Sequence, residues 1–247
     1  MSGIKIKQSE HIFILGKTGS GKTFTTKNVL IPALRKQKNN YLVILDPKQE
    51  YADVTKNIVS SPKQLNELLY SEEKPQLNDG VVRCAVTEPS EATAEEFLRS
   101  AWSPFRDVRN TGKGFENGYG YEPHFGIRFF IEDMPIFYES AFATPPMLKK
   151  WVTIGRKPHR VIVSTSQRAQ LIPKTVLTQI EHLFVFRISD YDRKRTILEY
   201  YGDKATYAVA NIPEYGYVLI SDLFEEPIVF DPYQPAIKPK EEDGIEL

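Results

Sequence analysis

The chain has 247 residues, 41% of them hydrophobic and 26% charged, with 32 Lys and Arg balancing 32 Asp and Glu. That composition excludes a disordered or fibrous protein, and the zero net charge excludes a chain-wide basic field, so any nucleic-acid contact has to come from a local patch. The single cysteine, Cys84, lies in the apolar run Val81 to Val86, which rules out a disulfide framework and reads as a buried structural thiol. The N-terminus has no apolar leader and no stretch approaches the roughly 18 apolar residues that span a bilayer, so the expectation is a soluble, intracellular chain.

Apolar runs alternate with segments of helical period, the pattern of an α/β fold with a mostly parallel sheet flanked by helices. The first strand is His11 to Leu15 and a helix follows from about Gly21 to Lys36, with Val29, Leu30, Ala33 and Leu34 on one stripe. Tyr41 to Leu45 is the second strand, Ser61 to Tyr70 a short helix, Val81 to Thr87 a strand, and Thr93 to about Val108 a helix burying Ala94, Phe97, Leu98 and Ala101. Asn110 to Pro123 is rich in glycine and reads as an inserted mobile loop. Ile127 to Ile131 is the most hydrophobic strand, followed by a helix from Leu148 to about Arg156, a strand Val161 to Thr165, a short helix Lys174 to Ile180 and a strand Leu183 to Ile188. A helix from about Tyr191 to Tyr201 stops at Gly202, Tyr215 to Ile220 and Pro227 to Phe230 close the sheet as antiparallel strands, and the charged tail from Lys238 reads as disordered. With no linker and no repeat, residues 1–237 are expected to form one domain and 238–247 a tail.

Between the first strand and the first helix stands Gly16-Lys17-Thr18-Gly19-Ser20-Gly21-Lys22-Thr23. The pattern G-x-x-x-x-G-K-[ST] in a strand-loop-helix setting is a phosphate-binding P-loop: backbone N–H groups converge on phosphates at a helix N-terminus. Lys22 then reaches the β- and γ-phosphates and the Thr23 hydroxyl ligates Mg²⁺, so ATP with magnesium is the expected ligand. Hydrolysis further requires acids at the carboxyl end of a nearby strand, and Phe129-Phe130-Ile131-Glu132-Asp133 supplies them. Glu132 is assigned to the magnesium and Asp133 to the attacking water, although the usual order of the pair is the reverse.

Three further stretches carry a resemblance to the HerA/FtsK superfamily of P-loop ATPases. Leu45-Asp46-Pro47-Lys48-Gln49-Glu50-Tyr51 is similar to the superfamily's turn after the second strand, Val163-Ser164-Thr165-Ser166-Gln167-Arg168 to its sensor-glutamine strand, and Gly155-Arg156-Lys157-Pro158-His159-Arg160 to the segment holding its trans-acting arginine. The resemblance implies a RecA-like fold over roughly residues 10–220. It implies that Gln167 contacts the γ-phosphate and water, and that Arg156, with Arg160 as the alternative, completes a neighbouring subunit's site. Asp46, Lys48 and Glu50 read equally as a salt-bridged turn or as direct participants.

A motor domain of this size without accessory domains looks most like the genome-packaging ATPases of icosahedral double-stranded DNA viruses with double-jelly-roll capsids, many with an internal membrane; the segment around Pro173 and Thr175 and the hairpin Pro213 to Tyr217 share that likeness. This resemblance implies an ATP-driven translocase of double-stranded DNA, working as a homo-oligomeric ring, a hexamer, in the cytoplasm of an infected cell or within the virion, with capsid-vertex or internal-membrane proteins as partners. The alternatives are a plasmid or conjugation helicase of the same superfamily and a slow ATP-dependent switch. Such a motor grips phosphates rather than reading bases, and the basic and aromatic candidates are Arg106, Arg109, Lys113 and Tyr119, and Lys149, Lys150 and Lys157, each of which also reads as an ordinary solvated residue.

Overall fold

The computed structural model describes residues 6–37, 40–70, 80–102, 125–140, 142–156 and 158–232. The strands are β1 (Ile12–Leu15), β2 (Asn40–Asp46), β3 (Ile58–Val59), β4 (Val81–Ala85), β5 (Gly126–Ile131), β6 (Arg160–Ser166), β7 (His182–Val185), β8 (Tyr217–Ser221) and β9 (Ile228–Phe230). They form one sheet in the order β3-β4-β2-β5-β6-β1-β7-β8-β9. The pairs from β3 through β7 are parallel, and β8 and β9 each run antiparallel to the strand before.

Both faces of the sheet are covered, which is why the strands read as continuous apolar runs rather than alternating ones. Side chains of successive residues still point to opposite faces. Phe13, Leu15, Val43, Leu45, Ile127, Phe129 and Ile131 join one core, and Ile12, Ile14, Leu42, Ile44 and Phe130 join the other. The first core is capped by α3 (Pro62–Tyr70), α4 (Glu91–Trp102) and α5 (Pro146–Ile154) through Leu65, Leu69, Phe97, Leu98, Leu148 and Trp151. Trp151 packs edge-on to Phe129 and Trp102, with ring centroids 5.5 Å away in each case, and its indole N–H donates to the Leu98 carbonyl at 3.1 Å. Glu95 is buried and accepts from the first backbone N–H groups of α5, those of Met147 at 2.7 Å and Leu148 at 3.0 Å. A carboxylate there satisfies orphan donors and favours the positive end of the helix.

The opposite face carries the helical rod that starts at the P-loop: α1 (Lys22–Thr25), a π-helical stretch Thr26–Leu30 and α2 (Ile31–Arg35), anchored by Leu30, Ile31 and Leu34. A π-helical segment breaks the ordinary i→i−4 ladder and often marks a functional site. Among the described residues the chain also forms α6 (Lys174–Leu177), α7 (Asp190–Asp192), a second π-helical stretch Arg193–Ile197, α8 (Leu198–Ala210) and two short 3₁₀ turns, Met134–Ile136 and Ala169–Leu171.

The largest departure from the sequence reading is α8. Expected to stop at Gly202, the helix instead bends there, at φ 77° and ψ −171°, and resumes to Ala210. The resumed part is held by Ala205 and Val209, which are buried. The two-residue edge strand β3 was not anticipated, because two residues give no periodicity to read. The helix expected over Thr93 to Val108 spans Glu91 to Trp102, with its remainder outside the described residues, as are the glycine-rich segment and the tail. Cys84 is fully buried, and burial pushes its thiol above the ordinary range, as a structural cysteine requires. No helix among the described residues is long and apolar enough to cross a membrane.

Candidate functional site

β1 delivers the P-loop to the middle of the sheet, and both neighbouring strands hold it there. The Gly16 N–H donates to the Ser166 carbonyl at the end of β6 at 3.1 Å, and the Lys17 N–H donates to the Arg187 carbonyl beyond β7 at 2.8 Å. Gly21 caps the helix with φ of 97°, a conformation that glycine adopts without strain. At Gly16 a side chain has no room: its Cβ would lie 2.6 Å from Phe186 Cβ and 2.8 Å from Ser20 Oγ. The loop encloses one end of a cavity of about 560 Å³ whose walls include Thr18 through Thr25, Lys48, Glu50, Glu132, Asp133, Thr165 and Gln167.

The predicted groups converge on this cavity. The Lys22 ammonium donates to the Lys17 carbonyl at 3.1 Å, and burial draws its pKa below the usual lysine range against the opposing pull of Glu132 and Asp133. Asp133 sits in the left-handed region at φ 47°, and its N–H donates to Thr165 Oγ1 at 2.7 Å. Its carboxylate accepts from the Lys48 ammonium and from the Gln167 amide at 3.2 Å. Gln167 in turn accepts from the Thr18 hydroxyl at 2.7 Å. One polar chain therefore ties the P-loop through β6 and β5 to the turn after β2. Gln167 directly follows β6, the strand next to β1, as expected, whereas the acids directly follow β5, one strand further away.

Glu132 differs from its neighbour. It is only 4% exposed, and burial pushes its carboxyl up to about 7 despite the hydrogen bond it accepts from Thr165 Oγ1 at 2.9 Å. The Thr23 hydroxyl, which the sequence pairs with Glu132 at the metal, instead donates to Glu50 at 2.9 Å.

Glu50 and Lys48 reach the site because Asp46 folds the turn after β2. Fully buried, its carboxylate accepts from the Glu50 N–H at 3.0 Å, the Tyr51 N–H at 3.1 Å and the Arg83 guanidinium at 2.8 Å. Of the two readings open for this acid, the salt-bridged turn is the one observed. No local pattern announces the pairing of Thr23 with Glu50 or of Lys48 with Asp133, since each joins elements distant in sequence. Phe24, Tyr215 and Pro232 also line the cavity and were not among the site residues expected from the sequence.

The two arginines lie elsewhere. Arg156 precedes β6, at the edge of the sheet opposite the P-loop, half-exposed and 2.6 Å from Glu181. Within this chain it does not reach the cavity. Arg160 does not fit the alternative role of a finger: it is 1% exposed, and its guanidinium donates to the carbonyls of Phe125 at 2.9 Å and Pro158 at 3.2 Å. Of the basic candidates, Lys149 is exposed on α5 and Lys150 lies 4.6 Å from the Trp102 ring centroid. Arg106, Arg109, Lys113, Tyr119 and Lys157 lie outside the described residues.

The residues fit a nucleotide with a divalent cation. Ser20 Oγ is buried in the loop without a hydrogen-bond partner, and Glu50, Glu132 and Asp133 crowd negative charge beside the Thr23 hydroxyl and Lys22. Among the described residues no three His, Cys, Asp or Glu side chains form a self-contained metal cage. Magnesium at phosphates needs none, because it is held by one or two carboxylates, water and the phosphates themselves.

A parallel sheet with a P-loop on its central strand and acids at the same carboxyl edge defines a P-loop nucleotide-binding domain. More narrowly, residues 4–134 match the family model described as "Helicase HerA, central domain", and the chain belongs to that family. The fold is shared with the genome packaging NTPase B204 of Sulfolobus turreted icosahedral virus 2, solved with AMPPCP, at a TM-score of 0.70 and 14% identity over 92% of this chain and 100% of that one. B204 of Sulfolobus turreted icosahedral virus, described as a DNA-packaging ATPase, matches at a TM-score of 0.69 and 16% identity over 92% and 98% of the two chains. The conjugation coupling protein TcpA of pCW3 is more distant, at a TM-score of 0.55 and 14% identity over 93% of this chain and 62% of that one. No curated protein matches the chain in sequence.

Proposed function

We propose that this chain is an ATP-driven translocase of double-stranded DNA that packages a viral genome into a preformed capsid. The observation that carries the reading is the end-to-end likeness to packaging NTPases, covering 92% of this chain and 100% of the relative, joined to a polar pocket whose acids and glutamine are interlinked. The active unit is a homo-oligomeric ring, a hexamer, acting in the infected cell or in the virion, with double-stranded DNA as its track and capsid-vertex or internal-membrane proteins as its dock.

In this reading Gly16 through Thr23 cradle the triphosphate, and Lys22 reaches its β- and γ-oxygens. Thr23 and Glu132 hold magnesium, which when bound neutralises charge on the phosphates. Asp133, fixed by Lys48 and Gln167, orients the attacking water. Gln167 links that carboxylate to Thr18, so loss of the γ-phosphate is felt by the loop and by β6 together. Arg156 acts in trans on the neighbouring subunit, where a planar guanidinium stabilises charge on the transferring group.

A second reading, a conjugation-type DNA helicase, is favoured by the likeness to the conjugation coupling protein TcpA. ATPase assays with duplex and single-stranded DNA separate the two: the packaging reading expects duplex to stimulate more strongly. Turnover that ignores DNA and stays below about 10⁻² per second, the range of unassisted P-loop switches, would favour a slow assembly switch instead. Mixing Arg156→Ala with Lys22→Ala subunits tests the ring. If Arg156 acts in trans, the intact arginine of a Lys22→Ala subunit completes the intact P-loop of its Arg156→Ala neighbour, so the mixture hydrolyses ATP where neither variant does alone, and a mixture as inactive as its two components removes the assignment.

A further inference from the structure

The P-loop strand divides the cavity by chemistry. In the sheet, β2, β5 and β6 lie on one side of β1 and β7, β8 and β9 on the other. The first side supplies Lys48, Asp133 and Gln167. On the second side β8 reverses direction, with Val218 opposite Val185, so the residues preceding it stand at the carboxyl edge of the parallel strands. β9 reverses again, so the residues following it return to that same edge. Two antiparallel strands thereby bring Tyr215 and Pro232 to the P-loop, where with Phe24 they line the cavity.

Tyr215 lies directly over the loop: its ring carbon Cδ1 and its carbonyl oxygen are each 3.8 Å from where a side chain on Gly21 would begin. Its backbone has φ of 60°, in the left-handed region, which costs a bulky residue on the order of 1–3 kcal/mol. The residue nonetheless remains 55% exposed. An aromatic ring held over a phosphate loop by a strained backbone, and left half in water, gains little from core packing.

We propose that Tyr215 is the platform on which the base of the bound nucleotide stacks, with Phe24 and Pro232 completing an apolar subsite for the base of a nucleoside triphosphate. The inference rests on the triphosphate reading of the P-loop. The phosphates are drawn to Lys22 and the loop N–H groups, and the acids occupy the β5 side. Sugar and base therefore leave toward β8, where an exposed aromatic face gains by being covered, and every base has a π-face to offer.

The test is titration calorimetry of the full chain with magnesium ATP and with magnesium tripolyphosphate, which has the phosphates and no base. The wild type binds ATP more tightly than tripolyphosphate. Tyr215→Gly removes the ring and accepts positive φ freely, and Tyr215→Asn does the same with a second residue that tolerates this conformation. Both narrow the ATP-to-tripolyphosphate affinity ratio by roughly five- to a hundredfold, and Tyr215→Phe keeps it. A wild-type ratio near one, a ratio that survives loss of the ring, or a Tyr215→Phe as defective as Tyr215→Gly overturns the platform. A wild type that binds neither ligand overturns the triphosphate reading, and the platform with it.

Discussion

The two edges of the sheet gather similar charged groups and use them in opposite ways. Toward the amino edge Arg128, fully buried in β5, donates to the carbonyl of Lys7 and to Gln37 Oε1, both at 2.8 Å. His182 sits between Glu10, at 2.8 Å, and Ser221, at 3.0 Å. His11 accepts from the Ile162 N–H at 2.9 Å, and Glu181 takes both the His11 N–H and Arg156 at 2.6 Å. Those partners close on one another inside the fold. At the carboxyl edge Lys22, Lys48, Glu50, Glu132 and Asp133 surround a cavity instead. Charge that closes on itself specifies structure, whereas charge that faces a cavity is available to a ligand.

The comparison breaks most sharply at Lys22. Lys22→Ala is expected to lower ATP turnover by about 10²–10³-fold, the scale of losing one preorganised charged donor at a developing phosphate, with little change in the urea midpoint. Arg128→Met should do the reverse. It strands acceptors in the core and costs about 3 kcal/mol of stability by denaturant titration, while the folded fraction hydrolyses ATP normally. If Arg128→Met impaired turnover in folded protein, the separation between the edges would fail.

The sequence could not draw this separation. The P-loop, the strand ending in Glu132 and Asp133 and the strand ending in Gln167 are legible because a contiguous apolar run points each polar group at a strand's end, and the glycines fix the loop. Arg128 and Arg160 sit within or at the start of such runs, where a local reading sees either an apolar strand or a basic turn; only the packed fold shows which carbonyls they satisfy. Likewise Asp46 and Glu50 are four residues apart yet do different work, because Arg83 reaches one and Thr23 the other across the sheet. Tyr215 read only as part of a closing strand and hairpin for a related reason: the reversal of two strands brings it to the cavity, and a turn tyrosine has no periodicity that announces this.

A smaller effect sharpens the amino edge by pH. Burial draws His11 down to about 4, with the nearby Arg156 adding to the shift. The unfolded chain protonates this histidine near its ordinary value of about 6.5, whereas the folded chain resists until about 4. Stability is therefore undiminished above about pH 6.5 and falls as pH drops toward 4. The loss between about pH 7 and about pH 5 is about 2 kcal/mol from this residue. His11→Asn, whose side-chain oxygen can still accept the Ile162 N–H, should flatten that part of the pH–stability curve in thermal melts.

The smallest expected effect is the most useful one for the ring. Arg156 is half-exposed and its partner Glu181 keeps the His11 N–H when the arginine is removed. Arg156→Ala should thus shift the urea midpoint by less than about 1 kcal/mol, the ordinary worth of a solvent-screened ion pair. That near-neutrality matters because it separates two explanations of any fall in turnover. If Arg156→Ala keeps the wild-type midpoint as well as ATP and tripolyphosphate affinity, and yet hydrolyses slowly only under conditions where the chain assembles, the lost group belonged to a neighbour's site. If it unfolds by several kcal/mol, the arginine was serving the amino edge of its own sheet, and the trans assignment loses its support.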